Sequence, residues 1–238
     1  MTEGKSTARI AFIGAGGMAN SVHYPSIASF DDAEIVGVCD VNREALLSTA
    51  KKYNLPEKNI YGEKGIEDYK VMIEKVSPDG VYVIGQPHLM IDIWLWCLSE
   101  GLNLYIEKPM GLTIHQARTM TYLAEKNECI TQVSHQRRSC PLLVKMREEC
   151  LKKGPITHAL CEFYKCEPQS YLVARDHMMD DCTHSIDTLR WVCGGEVEEI
   201  ESHVAVEFKH RSQMGRVGLI NAVVDAGHMA RVQLHRQV

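Results

Sequence analysis

The sequence has no excess of basic residues: 26 Lys and Arg stand against 31 Asp and Glu, for a formal net charge of -5. That balance leaves no electrostatic footprint for nucleic acid, and no run of Lys and Arg is dense enough to bind a membrane surface. Long apolar runs are missing too. No stretch reaches transmembrane length, and the opening MTEGKSTAR lacks the apolar centre of a signal peptide, so a cytoplasmic protein is expected. The nine cysteines include no C-x-x-C pair and no Cys/His cluster of zinc-finger spacing. With an odd count and scattered positions they read as reduced, mostly buried thiols, and no metal ligand set is expected. Internal repeats and low-complexity tracts are absent, which sets aside solenoids and disordered arrays.

What is there is a globular composition, 45% hydrophobic and 24% charged over 238 residues, enough for one large domain or two modest ones. From Arg9 to Val133 short apolar runs alternate with longer helical patterns, the mark of βαβ units and a parallel sheet. Strands are expected at 9–13, 34–39, 80–84, 103–106 and 130–133. Helices are expected near 17–30, 43–53, 66–75, 87–100 and 114–127. After a helix near 141–153 the pattern changes to longer strand-like runs at 157–167, 197–208 and 217–224, as in an antiparallel sheet. The expected organisation is therefore an α/β doubly wound domain over residues 1–135, followed by an α+β domain over 136–238.

The first apolar run breaks into Gly14, Gly16 and Gly17 and then into a helix, with Ala19 completing a G-x-G-x-x-A pattern. Glycines there let the backbone turn tightly and approach a pyrophosphate held on the amides of the helix start. A tight turn without a ligand is the plain alternative. Asp40 ends the second strand, 21 positions beyond Ala19, where an acid can hydrogen-bond the adenosine ribose and repel a 2′-phosphate. This favours NAD over NADP, although Asp is also common in strand-to-helix turns and Arg43 lies close by.

Two further stretches carry chemistry. LYIEKP, 104–109, ends the fourth parallel strand, so Lys108 emerges where an open α/β sheet lines its ligand crevice and could stabilise a developing alkoxide. A solvated Lys or a plain proline bend would look the same. In the second part Asp180, His184, Asp187 and Trp191 fall at offsets of four, seven and eleven, sharing an arc of roughly 60° on a helix. Ile186, Leu189, Val192 and Cys193 lie opposite, so the polar stripe is expected to face a cleft. A His one turn from a carboxylate makes a workable acid/base pair; capping carboxylates beside a structural His are the alternative.

Taken together, GAGGMA, Asp40, the Gln86-Pro87 step, EKP at 107–109 and the D-x-x-x-H-x-x-D-x-x-x-W run resemble the glucose-fructose oxidoreductase, inositol dehydrogenase and MocA family. The resemblance implies a Rossmann domain, an α+β domain whose open sheet holds substrate, and a catalytic trio of Lys108, Asp180 and His184. It implies NAD or NADP held by Gly14, Gly16, Gly17, Met18, Asp40, Gln86, Glu107 and Lys108, with Glu107 orienting Lys108 or the nicotinamide ribose. The substrate would be a sugar, cyclitol or related polyol oxidised at a secondary alcohol, and a homo-oligomer is compatible with the family. Cys182 stands where family members commonly carry Gly, and the second domain is expected to be shorter than theirs. A cofactor-binding but catalytically impaired chain, acting as a sensor or partner subunit, is the alternative reading. Arg137 and Arg138 match a basic pair that either binds ligand or braces the interdomain contact.

Overall fold

The structure is a computed structural model that describes residues 7–62, 65, 67–164, 182–194, 197–205, 217–224 and 228–235. The chain divides into two compact units, Met1–Ser134 and His135–Val238.

In the first unit, six parallel strands are ordered β3-β2-β1-β4-β5-β6: β1 Ala8–Ile13, β2 Ala33–Cys39, β3 Ile60–Tyr61, β4 Gly80–Val83, β5 Leu104–Ile106 and β6 Thr131–Val133. This is the strand order of a doubly wound sheet, and its direction reverses between β1 and β4, the place where such sheets take ligands. Strand residues alternate between two apolar layers. Ala11, Ile13, Val81, Val83, Leu104 and Ile106 pack with the helices α3 (Asp68–Val76), α4 (Pro87–Ser99) and α5 (Ile114–Lys126). Phe12 and Val38 pack on the other face with α1 (Tyr24–Ala28) and α2 (Arg43–Lys52). Large side chains such as Trp94, Tyr24 and Phe12 are fully buried, each stabilising the fold by about 1.5–3 kcal/mol.

Local chemistry sets the element ends. The Asn42 side chain accepts from Ala45 N–H to start α2, and Thr113 with Gln116 forms a complete capping box on α5. Pro87 opens α4, where a missing N–H costs nothing. Two features depart from the sequence expectation. A sixth strand, Ile60–Tyr61, extends the sheet, too short to show a period. The helix expected over 17–30 is interrupted by a π turn, Ala19–His23, before α1.

In the second unit a 3-10 turn, Gln136–Ser139, leads into α6 (Pro141–Leu151). A four-stranded sheet follows in the order β7-β10-β9-β8, from β7 His158–Tyr164, β8 Val197–Ala205, β9 Val217–Val224 and β10 His228–His235. β8, β9 and β10 pair antiparallel, whereas β10 lies parallel to β7. α7 (Cys182–Cys193) packs on this sheet and ends at Gly194, whose φ of 74° and N–H bond to the Arg190 carbonyl form a left-handed stop.

Candidate functional site

The glycine turn grows directly from β1. Gly14 donates its N–H to the Cys39 carbonyl at 2.8 Å and accepts the Tyr24 hydroxyl at 3.2 Å. Its φ is +112°, and a methyl group there would stand 2.0 Å from the Ile84 carbonyl oxygen, so only glycine fits between β1 and β4. Gly16 and Gly17 differ. Both are exposed, and a methyl at either would meet nothing within 4 Å. Asn20 N–H donates to the Gly16 carbonyl, and the amides of Gly16, Gly17 and exposed Met18 therefore lie in the first helical turn, open to an anionic group.

Asp40 ties the end of β2 to this turn. One carboxylate oxygen accepts from Ala15 N–H at 2.5 Å and the other from Asn42 N–H at 2.7 Å. The acid expected near the adenosine ribose thus stands against the backbone of the glycine turn. Gln86, also exposed, precedes α4 and accepts from Leu89 and Met90 N–H through its carbonyl. Glycine cradle, exposed helix-start amides and an acid at the end of β2 are together the donor and acceptor set a dinucleotide requires.

At the carboxyl end of β5, Glu107 is buried and Lys108 half-buried, followed by a cis Lys108-Pro109 peptide. Sequence reasoning missed what holds Glu107. His23, at the end of the π turn and only 4% exposed, meets Glu107 Oε1 through Nε2 at 2.7 Å. The imidazole lies edge-on to Tyr82 and Tyr105, with ring centroids 6.1 and 5.3 Å away. Burial by itself pushes the Glu107 carboxyl up. The His23 hydrogen bond and charge, the Ser134 hydroxyl and the charge of Lys108 outweigh it and leave the group below its ordinary value, as a carboxylate. His23 Nε2 then carries the hydrogen and donates it. The available signal was an isolated His in an apolar stretch, SVHYP, one turn past the glycines.

In the second unit, His184 and Asp187 are both buried on α7, with Thr188 Oγ1 donating to the His184 carbonyl at 2.6 Å. Two members of the polar stripe, His184 and Asp187, are thus buried, and Trp191 is partly exposed. Arg138 closes on the Asp187 carboxylate through Nε, 2.9 Å from Oδ2, and through Nη2, with His135 Nδ1 3.8 Å from Oδ2. Of the basic pair, Arg138 is therefore a brace within this unit. Arg147 stacks over Trp191, 5.3 Å from the ring centroid, and donates to its carbonyl. Asp180 lies outside the described residues, as does Cys166. The eight described cysteines are free thiols, and burial pushes those of Cys39 and Cys97 up to about 12, away from nucleophilic use. Among the described residues there is no cluster of metal-ligating side chains, and no helix is long and apolar enough to cross a membrane.

Residues 8–135 match the family model described as the oxidoreductase family with an NAD-binding Rossmann fold. The chain is 33% identical over 122 residues to D-glucoside 3-dehydrogenase of Escherichia coli K12, covering 51% of this chain and 32% of that protein. It is 23% identical over 223 residues to myo-inositol 2-dehydrogenase of Thermotoga maritima, covering 91% of this chain and 63% of that protein. Among solved structures, the WlbA dehydrogenase of Chromobacterium violaceum, in complex with NADH and UDP-GlcNAcA, superposes with a TM-score of 0.79 at 20% identity, over 99% of this chain and 68% of that one. The chain thus spans less than two thirds of the length of these curated relatives.

Proposed function

The chain belongs to the glucose-fructose oxidoreductase, inositol dehydrogenase and MocA family, with its NAD-binding Rossmann fold, and from that premise we propose that it oxidises a secondary alcohol of a sugar, cyclitol or related polyol with NAD. The observation that carries the cofactor preference is the Asp40 carboxylate against the glycine turn, where its charge disfavours the 2′-phosphate of NADP.

The amides of Gly16, Gly17 and Met18 receive the pyrophosphate, Asp40 the adenosine ribose, and Gln86 and Glu107 border the nicotinamide end. Bound there, the cofactor would supply a nicotinamide acceptor for the hydride of the substrate carbon. His184 takes the hydroxyl proton, Lys108 stabilises the developing oxyanion and Asp180 orients substrate or His184. Glucoside and inositol dehydrogenases among the relatives support the substrate class.

The test is calorimetric titration with NAD and NADP, followed by a screen of sugars and cyclitols for formation of reduced cofactor. NAD-dependent turnover is expected, with Lys108→Ala and His184→Ala each lowering it by on the order of a hundredfold while NAD binding persists. Cofactor binding without turnover on any polyol would replace this reading with that of a catalytically silent family member.

A further inference from the structure

The His23–Glu107 pair spans 84 positions of sequence and joins two parts of the cofactor domain that otherwise share no covalent neighbourhood. His23 ends the π turn that begins five residues after Gly14, so it rides on the same helical segment that presents Gly16, Gly17 and Met18. Glu107 precedes Lys108 at the end of β5. A π turn widens one helical turn by a residue and is often kept where a particular side chain must be aimed. Here the side chain at its end is a buried histidine with an acid partner.

The pair is poorly explained as packing alone. Apolar residues fill the same layer at Phe12, Tyr24 and Ile27. An uncompensated carboxylate at this depth would cost several kcal/mol, and a hydrophobic pair of similar volume would serve stability as well or better. A fixed ion or hydrogen-bond pair instead gives one geometry, because the imidazole edge admits Glu107 Oε1 in a single direction. His23 itself packs edge-on against Tyr82 and Tyr105, whose rings stack on each other 4.4 Å apart. The Glu107 carboxylate is thereby locked to the helix that starts at the glycine turn.

We propose that His23 is a positioning residue for the nicotinamide half of the cofactor, acting through Glu107 to hold the Glu107-Lys108 turn at a fixed distance from the pyrophosphate-binding helix start. This rests on the dinucleotide reading above. The adenosine half is held by Asp40 and the turn amides and does not depend on the pair.

The experiment compares NADH with ADP-ribose, which lacks nicotinamide, by calorimetry on the full chain, with thermal melting as a fold control. His23→Phe keeps the ring volume and removes the donor; it is expected to weaken NADH by roughly tenfold, the equivalent of one lost hydrogen bond, and to leave ADP-ribose within about twofold. His23→Gln, whose side-chain amide can occupy the position of Nε2, is expected to recover most of the NADH affinity. If His23→Phe does not fold, His23→Asn, whose amide falls short of Glu107, is read in the same way. Equal loss of both ligands in a folded variant, or loss of neither, overturns the inference. Wild-type protein that binds ADP-ribose but gains nothing from the nicotinamide half also overturns it and leaves the adenosine site standing; binding of neither ligand removes the cofactor reading and this inference together.

Discussion

Arg138 grips Asp187 with two nitrogens, although 49 positions separate them and the carboxylate is almost wholly buried. The guanidinium fork matches both carboxylate oxygens, and Asp187 in turn holds the arginine charged. Removing the fork would leave the acid at depth without its main counter-charge. Arg138 is itself 45% exposed, which moderates the cost. Arg138→Met is therefore expected to destabilise the chain by about 1–3 kcal/mol, read as a lower midpoint in urea unfolding. An unchanged midpoint would show that solvent already satisfies Asp187.

Two glycines of one turn should answer differently to the same methyl group. Gly14→Ala places Cβ against the Ile84 carbonyl at a φ that alanine rarely adopts, so a loss on the order of 3 kcal/mol or more is expected. Gly16→Ala meets open space and should leave the melting temperature within about 2 °C. It should nevertheless weaken NADH by roughly tenfold, since the added methyl stands where a pyrophosphate approaches the backbone. Melting and titration of the two variants separate turn-making from ligand-making; a Gly16 variant with wild-type affinity would remove that residue from the cofactor site.

Asp40 serves two donors at once, and asparagine supplies a single acceptor oxygen in its place. Either Ala15 N–H or Asn42 N–H then faces an amide NH2 group. Asp40→Asn should lower stability by about 1 kcal/mol. It should also reduce the preference for NADH over NADPH by roughly tenfold, because a like-charge repulsion worth about 1–4 kcal/mol at contact distance is gone. Parallel titrations with the two reduced cofactors read the ratio, and an unchanged ratio would mean that Asp40 does not face the 2′ position.

What the sequence revealed is what local pattern can encode. β1, the glycine turn, Asp40 at the end of β2 and the Pro87 start of α4 are each written in a few consecutive residues, and each stands where spacing puts it. The contacts that spacing cannot encode are the long-range ones. His23 finds Glu107 and Arg138 finds Asp187 only after the sheet and α7 are built, so a helical wheel puts Asp187 on the stripe without naming its partner. The two-residue β3 is too short for any period, and its place comes from pairing with Val38 and Cys39. β10 pairs with two neighbours of opposite sense, parallel to β7 and antiparallel to β9, and that sense is not written in its own residues.

Acid should act on Glu107 in a direction that the buried pair fixes. The carboxyl in the folded chain sits below its ordinary value of 4.5 despite burial, because His23, Ser134 and Lys108 favour the charged form more than desolvation opposes it. The unfolded chain therefore binds this proton more readily than the folded one, and the contribution of Glu107 to stability rises with pH. It is fully present above the unfolded value, begins to fade as the pH falls past about 4.5 and is lost once the pH passes the depressed folded value. Glu107→Gln cannot titrate, so subtracting its unfolding free energy from that of the wild type isolates this group from other carboxylates. The difference should shrink as the pH falls through about 4.5, the ordinary value of the group. A difference that stays flat through this fall would mean that the carboxyl is not held charged, and the imidazole at 2.7 Å would then be accepting a proton from Glu107 instead of donating one.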